Sequence, residues 1–464
     1  MLNRILQHGM VQILVANVLN MLFSIGTNFL LPKFLSVNSY SQIKTYQLYV
    51  TYVAILHFGY NDGMYLKNGG KELNEIGDEE LGKSISTLRI FQLAVMLLCI
   101  VFALFVKDYA LLFASMTILP QNMIAYFKNL YSAIGEFGKY SKIMNLTTGL
   151  TFAINVVLII FARTDNYVLF LICYAVLNVV IWLFLEVALQ KIKPKTKWFI
   201  FSFSELKENV LGGILLLLGN YASVLLTSMD RWFIKFLMSS VAFAEYSFAV
   251  SMENFLTVAM TPVTITMYNY FCNNDTEEKI TGIQELIVAF SPVIITVAFP
   301  IKFILEYFLE KYYSSTAVVF ILFTTQMFCI IIKGIYINLY KARKQQKRYF
   351  IKLSIVIMLA IVLNIICYTI AKCIEAFAVG TLLSSIVWFV LCRIDFREIR
   401  FSIKQYFFVF IEASVFLVCG IYFNSITGCI AYVAVTLIMI AVCTPNTYKK
   451  TFVMLKGLKT TKRC

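Results

Sequence analysis

A chain of 464 residues that is 60% hydrophobic and 14% charged, with a mean hydropathy of +0.79, has no polar stretch long enough for a soluble domain. A soluble protein of this length would divide into domains with polar surfaces, so composition implies an integral membrane protein. The net charge of +15 calls for no nucleic-acid partner, because topology and anionic lipid account for it.

Windows of about 20 apolar residues, enough to cross the hydrocarbon layer as a helix, place fourteen spans in an all-α chain. They lie near 10–31, 44–61, 86–106, 109–132, 143–162, 166–189, 211–237, 241–271, 281–304, 315–341, 350–371, 376–394, 405–424 and 427–443. The second is short and the eighth long, so twelve or thirteen is the alternative count. The first run lacks a basic leader and ends at Pro32 rather than at small residues, so it reads as an uncleaved first span.

The basic residues set the expected orientation. With the N-terminus inside, thirty of the forty lysines and arginines fall on inner segments. Nine fall on outer ones: Lys33, Lys44, Lys107, Arg163, Arg231, Lys235, Lys302, Lys311 and Lys372, while Lys333 lies within a span. That is a positive-inside bias, and it puts both termini in the cytoplasm.

The chain also repeats itself. Asn129-Leu130-Tyr131 returns as Asn338-Leu339-Tyr340, and at the same offset Ala133, Tyr140, Leu150 and Asn155 match Ala342, Tyr349, Leu359 and Asn364. About two identities would arise by chance over that window. Lys33-Phe34-Leu35 recurs as Lys235-Phe236-Leu237, and Trp182 as Trp388. Six spans per copy is an even number, which predicts two parallel six-helix bundles, a layout found in duplicated transporters. The bundles are 1–190 and 210–397, with a linker at 191–209 and two extra C-terminal helices plus a basic tail at 398–464.

The linker alternates Lys191, Lys193, Lys195 and Lys197 before Trp198, Phe199, Phe201 and Phe203. That pattern predicts an amphipathic elbow in the headgroup layer, with an ordinary basic loop as the alternative. Ser202 and Glu205 have capping-box spacing before the seventh span.

Charges inside a bilayer are costly and mark functional candidates. Glu253 is the deepest, about 12 residues into the eighth span, and Asn254 follows it. Lys333 lies eight residues before Lys341 in the tenth span, roughly 12 Å from its inner end. Asp230-Arg231, with Lys235 one turn on, sits in the outer third of the seventh span, where a local anchoring cluster is the plainer reading. Asp62 is expected at the interface, and Glu186 and Glu412 near enough to the cytoplasmic surface for snorkelling or pairing to explain them. The first span carries Asn17, Asn20, Ser24, Thr27 and Asn28 on one face, and the seventh carries Asn220, Ser223, Thr227, Asp230 and Arg231. Two polar stripes in equivalent helices imply a wet cavity between the halves; helix–helix hydrogen bonding could explain either alone.

Catalytic and metal chemistry find no motif. His8 and His57 are the only histidines, and the eleven cysteines show no CxxC pair. Cys419 and Cys429 flank a short turn where a disulfide is conceivable.

Several of these segments resemble the bacterial polysaccharide flippases, the O-antigen or Wzx-type transporters of the multidrug/oligosaccharidyl-lipid/polysaccharide exporter superfamily. The likeness lies in Phe29-Leu30-Leu31-Pro32 with Leu35-Ser36 and Tyr40, and in Gly59-Tyr60-Asn61-Asp62-Gly63. It continues in Asp230-Arg231 leading to Tyr246-Ser247-Phe248-Ala249, and in Leu339-Tyr340-Lys341-Ala342. The chain departs from the family at Glu375-Ala376-Phe377-Ala378, where a glycine-rich helix start is common. The resemblance implies ion-coupled alternating access that exports a polyprenyl-diphosphate-linked oligosaccharide across the bacterial inner membrane, with no catalytic group and no cofactor beyond a coupling proton or sodium ion. Under it, Arg231, Lys235 or Lys333 would hold the diphosphate and Glu253 or Asp230 the coupling ion. The halves would rock about the membrane normal, and glycan polymerase or chain-length proteins would be partners besides membrane lipids. The rivals are a multidrug/cation antiporter, a peptidoglycan-precursor flippase and, from another class, a membrane polymerase or glycosyltransferase.

Overall fold

The computed structural model describes residues 2–193, 199–273, 276–399 and 401–443, with side chains from Ala16 onward except at 223, 261–263, 265, 266, 268, 269 and 273. The helices are α1 (Leu2–Phe34), α2 (Val37–Val53), α3 (Tyr60–Asn68), α4 (Asp78–Val106), α5 (Tyr109–Met116) and α6 (Ile118–Ala133). They continue as α7 (Phe137–Val156), α8 (Tyr167–Ile192), α9 (Phe203–Leu237), α10 (Ser240–Asn273), α11 (Glu277–Ile295) and α12 (Ala298–Tyr307). The last are α13 (Thr316–Ile331), α14 (Asn338–Ala342), α15 (Gln346–Ala371), α16 (Ile374–Asp395), α17 (Ile403–Tyr422) and α18 (Ser425–Cys443). Among the described residues there is no strand, and a π-helical turn at Ile332–Ile337 joins α13 to α14.

Among the described residues nine helices are long and apolar enough to cross a membrane, or eleven if two bent pairs each count as one span. The expected first, second and eighth spans coincide with α1, α2 and α10, which lie outside that set. Exposed faces are themselves apolar: on α4, Leu97, Leu98, Val101, Phe102 and Phe105 all point outward. A surface of that kind is stable against lipid rather than water. The protein is a multi-pass, all-α membrane protein.

Two compact units divide the chain, Met1–Ser228 with Ser239–Ala244, and Met229–Met238 with Glu245–Cys464. The first arm of α9 therefore packs with the first unit, and a glycine crossing explains why. A Cβ on Gly63 would lie 1.9 Å from the Asn209 carbonyl oxygen, and one on Gly213 would lie 2.0 Å from that of Gly59. Only residues without a side chain permit helices to approach that closely. Tyr52 and Ser228 share a hydrogen bond at 2.5 Å on the same side of the unit.

The described end of the linker is pinned to α4: Ile200 N–H donates to Ser86 Oγ at 2.7 Å and Ser202 N–H to Thr87 Oγ1 at 3.1 Å. Phe199, Phe201 and Phe203 are exposed, whereas Lys195, Lys197 and Trp198 lie outside the described residues. Only half of the expected capping box forms. Ser202 Oγ accepts from Glu205 N–H at 3.3 Å, but the Glu205 carboxylate turns to Lys67 at 3.3 Å and to Asn209 at 2.9 Å. The full reciprocal box sits at Ser402 and Gln405, opening α17.

The repeat is visible in backbone geometry. After α6, the N–H groups of Ile134, Gly135 and Glu136 donate to the carbonyls of Leu130, Ser132 and Tyr131. After α14, those of Arg343, Lys344 and Gln345 donate to Leu339, Lys341 and Tyr340, the same pattern at an offset of 209. The left-handed residue is Gly135 (φ 75°) in one copy and Lys344 (φ 55°) in the other. Arg163 (φ 48°) and Lys372 (φ 50°) repeat the correspondence one helix later. At an offset of 203, Ser36 Oγ accepts from Ser39 N–H and Ser239 Oγ from Ala242 N–H, both at 3.2 Å.

Three expectations change in the structure, while Glu186 takes the pairing that was one of its two readings. Lys44 and Lys302 are not loop residues: Lys44 is buried in α2 and donates to Asn28 Oδ1 at 2.8 Å. Lys302 is buried in α12 and donates to the carbonyls of Gly420, at 2.7 Å, and Phe423. Neither reports on topology, because each is held by protein. Glu412 is not interfacial; it is fully buried midway along α17 and accepts from Thr436 at 2.8 Å. Glu186 is paired, receiving Arg89 at 2.8 Å and Trp182 Nε1 at 2.8 Å. Cys419 and Cys429 are free thiols.

The last two helices are packed into the second unit. Phe299, Phe320, Phe416 and Tyr432 interlock α12, α13, α17 and α18 with ring centroids 4.9–5.7 Å apart. Glu306 caps the start of α18 by accepting from Ser425 N–H at 3.1 Å.

Candidate functional site

The second unit gathers the charges that the sequence placed inside spans. Asp230, buried on α9, accepts the Arg231 N–H at 2.8 Å and the hydroxyl of Tyr246 on α10. Tyr246 and Glu253 are seven residues apart, two turns on one face. Glu253 accepts from Gln326 Nε2 of α13 at 2.5 Å. Seven residues beyond Gln326 comes Lys333, inside the π-helical turn. Such turns shift a side chain out of regular register and recur at functional sites. Lys333 and Arg231 are the cationic neighbours of Glu253, and Asp230 is its acidic one. Thr381 of α16 is near the Tyr246 hydroxyl, and Cys329 is near Lys333 and Glu253.

Two acids and two bases balance in formal charge, which offsets the cost of placing them among apolar helices. The balance is incomplete in hydrogen bonds: Arg231 Nε is buried without a partner. Guanidinium and ammonium donors of this kind match phosphate oxygens, while a carboxylate in such surroundings can carry a proton or hold a small cation.

Asp230, Arg231, Glu253 and Lys333 are thus brought together. Lys235 is half-buried one turn beyond Arg231 and makes interactions of its own, and Asn254 is exposed. The other expected polar residues belong to the first unit. Asn28 is engaged by Lys44, Asn17 and Asn20 are half-buried on α1, and Asn220 is exposed. The Thr227 hydroxyl turns back to the Val224 carbonyl at 3.2 Å. The side chain of Ser223 lies outside the described residues. Sequence reasoning missed Tyr246, Gln326 and Thr381 as site members. The sevenfold spacing of Tyr246 from Glu253 and of Gln326 from Lys333 was the available signal.

The first unit has a polar core of another kind. The expected second span is broken: α2 ends at Val53, Ala54–His57 form a 3₁₀ turn, and Phe58 and Gly59 are left-handed before α3 begins. Breaking a helix frees carbonyls. Asn122 Nδ2 donates to the Val53 carbonyl at 3.3 Å and to Gln92 Oε1 at 2.6 Å. Gln92 in turn donates to the Leu56 carbonyl at 3.0 Å. His57, buried, accepts the Gly59 N–H at Nδ1, and its Nε2 lies 3.8 Å from Asp62.

No family model matches the sequence, and no curated protein matches it either. Solved structures do. The lipid II flippase MurJ in its inward closed conformation superposes with a TM-score of 0.67 at 14% identity, covering 94% of this chain and 99% of that one. An inward-facing multidrug resistance MATE family transporter of the MOP superfamily superposes with a TM-score of 0.57 at 13% identity, covering 82% and 95%. At such identities the likeness speaks for the fold alone: this multi-pass membrane protein shares the fold of those two transporters.

Proposed function

We propose that the chain is a flippase that moves a polyprenyl-diphosphate-linked oligosaccharide from the inner to the outer leaflet of the bacterial inner membrane. In this reading both termini are cytoplasmic, and the substrate is the repeat unit of an O-antigen, capsule or exopolysaccharide. The observation that carries it is the end-to-end likeness to a lipid II flippase, which leaves far less of the chain unmatched than the multidrug transporter does. The charge cluster of the second unit supports it. Arg231 and Lys333, with Lys235 one turn away, engage the diphosphate. Glu253 or Asp230 carries the coupling proton or sodium ion, and no other cofactor is needed. Asn17, Asn20, Asn220, Thr227 and Asn254 offer hydrogen bonds to sugar hydroxyls, and Asn28 does so only when Lys44 releases it. Glycan polymerase and chain-length proteins are the partners that would consume the product.

Likeness to a flippase of lipid II favours one second reading, a peptidoglycan precursor as substrate. The two readings separate in one experiment. Under the proposal, deleting the gene leaves cells viable and accumulates lipid-linked oligosaccharide accessible only from the cytoplasmic face, and the wild-type gene relieves it. Accumulation of inward-facing peptidoglycan precursor with normal surface glycan moves the assignment to the second reading. Unchanged levels of both, with altered drug tolerance, would sink either and favour a multidrug antiporter.

A further inference from the structure

Away from that cluster, a pocket of about 320 Å³ opens where the last turns of α16 meet the start of α17. Phe389, Val390, Ile394 and Tyr406 form its apolar and aromatic wall, and Arg393, in the last turn of α16, and Arg397, just past its end, supply its charge. Val390 and Ile394 are exposed on the outer face of the helix, where lipid is the neighbour of a membrane-spanning segment.

Every acid close by in sequence already has a cation. Asp395 is paired with Lys352 at 3.2 Å and takes the Tyr340 hydroxyl at 2.5 Å. Glu398 is paired with Arg343 at 2.5 Å. Arg393 spends one donor on the Phe396 carbonyl at 2.8 Å, and its Nε is buried without a partner. Among the described residues Arg397 has no hydrogen-bond or ion-pair partner. Two guanidinium groups with unspent donors therefore border an apolar, lipid-facing cleft. The N-terminal turn of α17, the positive end of a 20-residue helix, lies beside them at Tyr406.

We infer that this pocket binds one anionic phospholipid from the surrounding membrane. The headgroup phosphate lies between Arg393 and Arg397, and an acyl chain lies along Val390 and Ile394. Charge complementarity selects the anionic headgroup, and the apolar wall selects a lipid over a free anion. The inference is independent of the transported substrate.

The full-length protein is purified in a zwitterionic detergent-phosphatidylcholine mixture, and phosphatidylglycerol is titrated in while native mass spectrometry and thermal unfolding are recorded. Wild-type protein is expected to retain one phosphatidylglycerol in preference to phosphatidylcholine. Each arginine contributes a factor of about five, so Arg393→Gln with Arg397→Gln weakens retention roughly 25-fold, while Lys347→Gln, which removes a charge elsewhere, does not. Val390→Trp keeps both arginines but fills the cleft, and it too is expected to abolish retention; this variant covers the case in which the double variant fails to fold. Equal loss with Lys347→Gln, or retention unchanged by Val390→Trp, overturns the proposal. So does equal displacement by inorganic phosphate, which would make the site one for a free anion. Displacement by an equimolar polyprenyl diphosphate would give the pocket to the transported lipid instead.

Discussion

The two units bury polar groups in opposite ways. In the first, the amides of Gln92 and Asn122 repair a broken helix by bonding its freed carbonyls, and Asn61 in turn bonds the carbonyl of Asn122. In the second, the polar core is charged, and it leaves Arg231 Nε without a partner. A network whose donors are spent on backbone holds shape; one with donors unspent can accept a ligand. The difference makes the charged core, and not the amide core, the candidate site, where the repeat alone would suggest equivalence.

The strongest way to break the comparison is at the scaffold. Gly63→Leu or Gly213→Leu puts a side chain where a carbonyl oxygen already lies within about 2 Å of the first added carbon. The expected cost is about 3 kcal/mol or more, read as loss of a monodisperse peak in size-exclusion chromatography. Next comes the charged cluster. Arg231→Gln and Lys333→Gln should each lower flipping of a diphosphate-linked lipid in proteoliposomes roughly 100-fold per folded molecule. Intact transport in both variants would remove the cations from the mechanism.

Asn122→Leu should do the reverse, costing about 2 kcal/mol of stability by leaving the Val53 carbonyl and Gln92 unsatisfied. Per folded molecule, transport should persist. A large transport defect at full stability would erase the distinction between the two cores. The smallest effect belongs to the repeated turn. Gly135→Lys should cost about 1 kcal/mol, because a side chain at positive φ crowds its own carbonyl. Lys344→Gly should be neutral or stabilising by up to about 1 kcal/mol in thermal unfolding.

Much of this was legible before any coordinates. Asn129-Leu130-Tyr131 and its copy announced two equivalent helix ends, and the structure gives them the same hydrogen bonds, down to a lysine at 344 in the left-handed position that glycine takes at 135. Glu253, Lys333, Asp230 and Arg231 stood out because charge in an apolar run is costly wherever the helix packs. Partners were not legible. Lys44 and Lys302 read as loop cations because hydropathy weighs a residue by its own side chain, whereas Asn28 and the carbonyls of Gly420 and Phe423 come from distant sequence. Glu412 read as interfacial for the same reason; the hydroxyl of Thr436, 24 residues on, donates to it.

The sequence by itself determined that this protein lives in a membrane, is helical, repeats a stretch of residues at an offset of 209 and carries buried charge in its second half. Those follow from composition, periodicity and the cost of ions in hydrocarbon, each a local property of the chain. Only the tertiary structure decided which charges meet. It decided that the second span breaks and is repaired by amides, that the first arm of α9 packs with the first unit through glycines, and that the last two helices are fastened by Lys302 and Glu306. Each depends on groups far apart in sequence coming within hydrogen-bond or van der Waals distance, and packing alone selects those pairs.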